Sequence, residues 1–94
     1  MLGGRDIKQI AIKILEKIGD RDPVATLKVH RSRSPLRDVA VHILYEMGTY
    51  RNEDIGRVFG VGYTAISEAA KRGRRYLEAD KTLAEIAAGF RIDN

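Results

Sequence analysis

The stretch NEDIGRVFGVGYTAISEAAKRGRR, residues 52–75, predicts two helices joined by a tight turn. Glycines at positions 60 and 62 interrupt the helical pattern, because glycine adopts the backbone angles that a sharp corner between helices requires. Gly56 is the small residue that lets the two helices approach closely, and Val61 is expected to fill the inside of the corner. We therefore expect a helix-turn-helix at this point of the chain.

The second of these helices is predicted to have one apolar and one polar face. The apolar side chains recur at helical spacing and are Ile66, Ala69, Ala70, Gly73 and Leu77. The polar side chains on the other side are Thr64, Ser67, Glu68, Lys71, Arg72 and Arg75. Because an α-helix fits the major groove of DNA and its N-terminal residues reach the base edges, this pattern favours sequence-preferring binding of duplex DNA. The recognition helix is predicted over residues 62–77, and its core side is expected to begin at Ala65 and Ile66.

Charge is distributed unevenly along the 94 residues, a length that suits one small domain. The formal net charge is +4 and the sequence pI is about 9.6, which favours an anionic partner. Residues 31–37 and 71–75 are strongly basic, whereas residues 78–85 are balanced. Such clusters indicate a surface that faces phosphates; the alternative is a charged face that contacts only water.

Several kinds of chemistry lack the residues that they need. The chain has no cysteine, which excludes disulfides, thiolate zinc sites and cysteine nucleophiles and fits a reducing cytoplasm. No apolar run is long enough to span a membrane, and no signal peptide is visible. His30 and His42 are the only histidines, and neither has further ligands at metal spacing. Because no nucleophile–base pair is visible either, we expect neither an enzyme nor a bound cofactor or metal.

The remaining segments predict further helices. An apolar pattern over residues 5–18 should end at Gly19, a short helix should cover residues 23–28, and a longer one should run from Pro35 to Gly48. The expected N-caps are Asp22, Ser34 and Asn52, and the last helix should follow Asp80. No alternating run predicts a strand. The prediction is a single domain over residues 1–94, an all-α bundle of five or six helices that follows a flexible start over residues 1–4.

Two kinds of residue in this bundle have structural interpretations. Four scattered aspartates are each expected to cap a helix or to lie on the surface, and these are Asp6, Asp22, Asp38 and Asp54. Gly73 lies inside a helix at a cost of about 1 kcal/mol relative to alanine. This predicts close packing under the long helix, with a kink as the alternative. His42 is expected at the rim of that long helix.

The sequence resembles the C-terminal DNA-binding domain of the bacterial replication initiator DnaA over residues 7–77. Three pieces carry the resemblance: the basic RSRS stretch at 31–34 before a long apolar helix, EDIGRVFG at 53–60, and Thr64 ahead of a packing face centred on Ala69. The resemblance implies a helix-turn-helix of the kind also found in the Trp repressor. It further implies that the basic loop inserts an arginine into the minor groove while the recognition helix lies in the major groove. The implied location of the protein is the bacterial cytoplasm, at the nucleoid.

The start of the recognition helix departs from that family. Where the family has Asp-His-Thr-Thr, this chain has Gly62, Tyr63, Thr64 and Ala65, which indicates a DNA site other than the initiator's. No glycine-rich phosphate loop is present, so the chain is not a whole initiator. The stretches at 53–56 and 59–67 are more similar to the C-terminal domain of REP-associated tyrosine transposases, which implies an accessory DNA-binding domain of a longer protein.

The predicted DNA contacts carry different degrees of ambiguity. Thr64, Ser67 and Lys71 share one face, which favours base or phosphate contact over an ordinary exposed surface. The Tyr63 ring packs on the preceding helix, or its hydroxyl reaches a phosphate; the sequence leaves both open. Arg31 and Arg33 are expected in a minor groove rather than in a merely solvated loop.

The other cations divide between DNA and solvent. The arginines at positions 72, 74 and 75 lie around a helix, so about half of them are expected at phosphates. Arg51 and Asn52 precede a helix whose N-terminal amides could hold a phosphate. The full predicted DNA-binding set is Arg31, Arg33, Arg51, Asn52, Gly62, Tyr63, Thr64, Ser67, Lys71, Arg72 and Arg75. The partner is double-stranded DNA, with a homodimer or a longer parent chain as options; the alternative function is a helical protein-interaction module whose basic surface binds acidic partners.

Overall fold

Six α-helices make up the described part of the chain, in a computed structural model that covers residues 7–28 and 34–92. They are α1 (Ile7–Lys17), α2 (Pro23–Lys28), α3 (Pro35–Met47), α4 (Asn52–Phe59), α5 (Tyr63–Ala79) and α6 (Lys81–Ile92). No residue in these two ranges lies in a β-strand, so the prediction of an all-α fold with five or six helices is confirmed. None of the six described helices combines the length and the apolar character that crossing a membrane requires.

The helix ends carry the capping groups that the sequence predicts, with one exception. The Ser34 hydroxyl accepts a hydrogen bond from the backbone N–H of Arg37 at 3.2 Å, directly before the proline that begins α3. A carboxylate oxygen of Asp80 accepts from the backbone N–H of Leu83 at 3.1 Å and caps α6 in the same way. Gly48 ends α3 with a φ of +70°, a left-handed conformation that glycine adopts without strain.

The exception is Asn52, which is the first residue of α4 and not its cap. Arg51 occupies the N-cap position and its side chain makes no capping hydrogen bond. The Asn52 side chain is directed to α5 instead, where its amide donates to the Ser67 hydroxyl at 3.4 Å. Acidic residues in the first turn of α4 already complement the positive end of that helix, which reduces the need for a polar cap.

The core surrounds α3, which α1, α4, α5 and α6 all contact. Its largest side chains are less than 2 % exposed and are Ile14, Leu15, Val39, Val41, Ile43, Leu44, Ile55, Phe59 and Ile66. Burial of a side chain of this size stabilises the fold by about 1.5–3 kcal/mol. The apolar run along α3 therefore makes it the helix on which the others assemble.

Helices α3 and α5 approach each other closely at Gly73. A Cβ atom at this position would overlap the backbone carbonyl of Asp38 and would lie 2.8 Å from the Cβ of His42. The prediction that Gly73 serves close packing under the long helix is confirmed. Half-buried His42 adds a polar link, because its Nδ1 lies 3.1 Å from the carbonyl oxygen of Ala70 on α5. Since a carbonyl only accepts, Nδ1 is the protonated donor in this contact.

Two expectations about burial are wrong. Asp38 was expected to cap a helix or to lie on the surface, but it is buried, with 2 % of its area exposed. A buried carboxylate needs a cation, and Asp38 has one on α5, described below. Ala65 was expected to begin the core side of α5, but it is exposed, and the buried side begins at Ile66. Ala65 lies one position, or about 100° around the helix, from Ile66, which places it off the side that faces the core.

Candidate nucleic-acid interface

The corner between α4 and α5 is only three residues long and depends on glycine at two points. Gly60 has a φ of +72° and ends α4. The backbone N–H groups of Gly60 and Val61 both donate to the carbonyl of Gly56, the second at 2.9 Å. A Cβ atom at Gly56 would overlap the Val61 carbonyl, so glycine alone permits this corner. Val61 is half-buried and packs on the core, and Gly62 precedes α5 as its N-cap, as an exposed residue without a capping side chain.

Beyond this corner, α5 has one buried and one exposed side. Four residues at helical spacing are buried against the core: Ile66, Ala69, Ala70 and Gly73. We call the opposite side the outer face of α5 and define it as Thr64, Ser67, Glu68, Lys71 and Arg75. All of these are exposed except Ser67, which is half-buried beside Asn52. The fold therefore brings the predicted contacts Thr64, Ser67, Lys71 and Arg75 together on one surface.

Tyr63 lies at the very start of α5 and is 64 % exposed. A ring packed on the preceding helix would lose most of its contact with solvent. The exposed ring therefore does not fit packing on the preceding helix, and contact of the hydroxyl with a phosphate stays a prediction.

Arg72 is held inside the fold. Its Nε donates to Oδ2 of Asp38 at 2.9 Å and its Nη2 donates to Oδ1 at 3.2 Å. The Asp38 side chain is 2 % exposed and that of Arg72 is 31 % exposed. The hydrogen bonds that Arg72 donates to Asp38 raise the pKa of Arg72 further above its usual value, although partial burial opposes this. Arg72, which the sequence predicted at a phosphate, thus anchors α5 to α3 through an ion pair with two hydrogen bonds.

This ion pair escaped the sequence analysis, although two signals were available. Asp38 immediately precedes Val39 in the apolar run of α3. Arg72 adjoins Gly73, the point at which α5 touches α3. Neither signal identifies the partner of Asp38, because the two residues are 34 positions apart in the sequence.

The other cations of α5 remain accessible. The ammonium of Lys71 lies 3.8 Å from a carboxylate oxygen of Glu68, and Arg74 pairs with Glu78 at 3.3 Å. All four side chains are more than half exposed, so these pairs are weak and exchange readily with other partners. Arg75 is exposed and makes no ion pair with any residue that the structure describes.

The N-terminus of α4 is less suited to a phosphate than the sequence suggests. Its first turn contains Glu53 and Asp54, whose carboxylates repel an anion and already occupy the positive end of the helix. Arg51 is exposed at this end and remains able to contact a phosphate from its side chain. Asn52 instead orders Ser67 on the outer face of α5.

Arg31 and Arg33 lie outside the described residues, as does His30. Their predicted place at the DNA backbone or in the minor groove stays a prediction. Within residues 7–28 and 34–92, no three His, Asp or Glu side chains are grouped so as to hold a metal ion.

The chain matches none of the protein-family models, curated proteins or solved structures with which it was compared. The geometry of α4 and α5 is therefore the basis on which a function is assigned.

Proposed function

We propose that this chain binds duplex DNA with a sequence preference, and that α4 and α5 act as a helix-turn-helix with α5 in the major groove. The observation that carries the proposal is the outer face of α5, which is exposed from its first turn onward while the opposite side is buried. The major groove is about 12 Å wide and admits one helix of this kind. A helix that begins at a tight corner presents its first turns without obstruction from the preceding chain.

The side chains along this face become longer from the start of α5 towards its end, which is the order that binding in the major groove requires. Thr64 and Ser67 are short and lie in the first two turns of α5, where short side chains let the helix backbone approach the base edges closely. Lys71 follows one turn later and is long enough to reach a base edge or a phosphate, and Arg75 follows two turns later and is long enough to reach a phosphate. Base contacts are therefore expected nearer the start of the helix than phosphate contacts.

Three contacts with α3 and α4 fix the orientation of α5, as recognition of base edges demands. Gly73 holds the helix against the backbone of α3, the pair of Arg72 with Asp38 restrains its rotation, and Asn52 holds the Ser67 hydroxyl. A basic surface that binds acidic proteins would not require such a fixed orientation of α5. We therefore prefer DNA binding to the alternative function of a protein-interaction module.

Within this proposal, Arg31 and Arg33 contact the DNA backbone or the adjacent minor groove. Their segment ends at Ser34, the cap of α3, and α3 carries α5. The resemblance to the DnaA and REP-associated transposase domains supports the role of an accessory DNA-binding domain, in a protein related to a transposase or a replication initiator, at the bacterial nucleoid.

Salt dependence tests the proposal. Roughly 4–7 neutralised phosphates should make log affinity fall with log salt at a slope of about −4 to −6. Fluorescence anisotropy with a labelled random duplex measures this slope, and polyglutamate serves as the acidic competitor that carries no groove. Equal competition by polyglutamate and by unlabelled duplex, at matched charge, would support the protein-interaction module instead. A lack of duplex binding at low salt would refute the proposal.

A further inference from the structure

Glu68 places a negative charge in the middle of a face that is proposed to meet a polyanion. It follows Thr64 by four positions and precedes Lys71 by three, and its side chain is 59 % exposed. Phosphates repel a carboxylate, so this residue opposes DNA binding unless it meets a hydrogen-bond donor in the groove. The donors that base edges offer in the major groove are the exocyclic amines of cytosine and adenine.

The neighbour of Glu68 decides between these two amines. The Lys71 ammonium lies 3.8 Å from a Glu68 carboxylate oxygen, which is longer than a charged hydrogen bond of about 2.8 Å. Both groups therefore keep free hydrogen-bonding sites, unlike the tight pair of Arg72 with Asp38. Side by side, they offer an acceptor next to a donor on the exposed surface of α5.

A C·G base pair presents the complement of this arrangement. Its major-groove edge has two adjacent acceptors on guanine, N7 and O6, followed by the N4 donor of cytosine. An ammonium over the guanine acceptors and a carboxylate at the cytosine amine match that order. At an A·T pair the adenine amine lies between two acceptors, N7 of adenine and O4 of thymine, so a carboxylate there is repelled from both sides.

We propose that Glu68 and Lys71 act as a unit that selects one C·G base pair in the DNA site, Glu68 accepting from cytosine N4 and Lys71 donating to guanine. The inference rests on the proposed function and adds a specificity-determining residue to it. Glu68 thereby lowers affinity for DNA in general and restores it at sites with C·G at one position.

Selection from a randomised duplex library, sequenced for the wild type and for variants, tests the inference. The wild type should enrich C·G at one position over the other pairs by roughly ten- to hundredfold. Glu68→Gln should lose that enrichment at this position and gain A·T, because a glutamine amide pairs with adenine N6 and N7. Lys71→Gln should lose enrichment at the same position and not uniformly along the site.

Glu78→Gln is the matched control, because Glu78 is an exposed glutamate that pairs with Arg74 near the C-terminal end of α5, ten residues or about 15 Å along the helix from Glu68. It removes the same charge and should leave the selected sequence unchanged. If Glu68→Gln selects the same sequence as Glu78→Gln, the inference is overturned while DNA binding stands. Duplex binding with a normal salt slope but no preference at any position overturns it as well. A wild type that fails to bind duplex at low salt instead overturns the proposed function, so the two failures are distinguishable.

Discussion

Arg72 and Arg75 lie three positions apart on α5, yet the structure gives them opposite environments. Arg72 forms two hydrogen bonds to the buried carboxylate of Asp38. Arg75 is exposed and has no ion pair with a described residue. Residue type is the same in both cases, and only the partner across the helix interface decides whether the charge serves the fold or remains available to a ligand. A count of cations in a basic cluster therefore overstates the charge that can reach a phosphate.

The same contrast separates the two sides of α5 as a whole. The buried side is made of small residues around Ile66, and at Gly73 not even one methyl group fits. The outer face is exposed except at Ser67, so the volume of its side chains is less restricted than on the buried side. Substitutions on the buried side should change stability first, and those on the outer face should change binding first.

The largest effect is expected for a charge introduced on the buried side, as in Ile66→Asp. Ile66 is fully buried, and an unpaired carboxylate there should destabilise the fold by more than about 4 kcal/mol, enough to unfold a small domain. Circular dichroism should show loss of the helical signal. Ala65→Asp is the control at the adjacent exposed position and should retain it. A folded Ile66→Asp protein would show that the buried side has been assigned to the wrong residues.

A smaller effect is expected for Gly73→Ala, because the added methyl group would overlap the backbone carbonyl of Asp38. Separation of α5 from α3 should cost about 1–3 kcal/mol, more than the gain of about 1 kcal/mol in helix propensity. Gly89→Ala is the matched control within α6, since a Cβ atom there meets nothing within 4 Å.

Chemical denaturation of both variants measures this contrast. Gly89→Ala should stabilise the protein by up to about 1 kcal/mol, while Gly73→Ala destabilises it. Equal stabilisation of both would mean that α3 and α5 are further apart than the structure shows.

The variants Arg72→Met and Arg75→Met test the contrast between an arginine that serves the fold and one that remains available to DNA. Arg72→Met leaves the buried Asp38 unpaired and should cost about 1–3 kcal/mol, less than for a fully buried pair because the Arg72 side chain is 31 % exposed. Adding Asp38→Asn to Arg72→Met should recover part of that loss. Arg75→Met should change stability by less than about 0.5 kcal/mol and make the salt slope of DNA binding shallower by about 1.

Unfolding curves and anisotropy titrations on the same preparations separate these two roles. The contrast fails if Arg72→Met leaves stability unchanged, or if Arg75→Met leaves the salt slope unchanged.

The fold was predictable from the sequence because its signals are local. Ser34 followed by Pro35 fixes the start of α3, and glycines at 48 and 60 adopt the left-handed angles that end helices. Each of these effects acts within one turn of the chain. The periodic apolar residues likewise identify the core, since a helix has one side that neighbours cover.

The candidate site was predictable only in part, because it depends on contacts between distant segments. The ion pair of Asp38 with Arg72 joins residues 34 positions apart, and no local pattern states which cation a buried acid will meet. The link from Asn52 to Ser67 is of the same kind, and it explains why a residue expected to cap α4 contacts α5 instead. Helical spacing did predict the outer face of α5 except for Arg72, which pairs with Asp38 of α3 instead.

The smallest effect is expected at Thr64, on the outer face. Its methyl group suits a thymine methyl and its hydroxyl suits a neighbouring acceptor, so Thr64→Ala should reduce discrimination between a selected and a random duplex by about 1 kcal/mol. The salt slope should hardly change, because a base contact releases no counterions. Thr82→Ala removes the same hydroxyl from an exposed position of α6 and should leave discrimination intact. Competition anisotropy measures the ratio of the two affinities, and circular dichroism confirms that each variant is folded. If Thr64→Ala discriminates as well as Thr82→Ala, the first turn of α5 does not contact bases and the orientation proposed for the recognition helix is wrong.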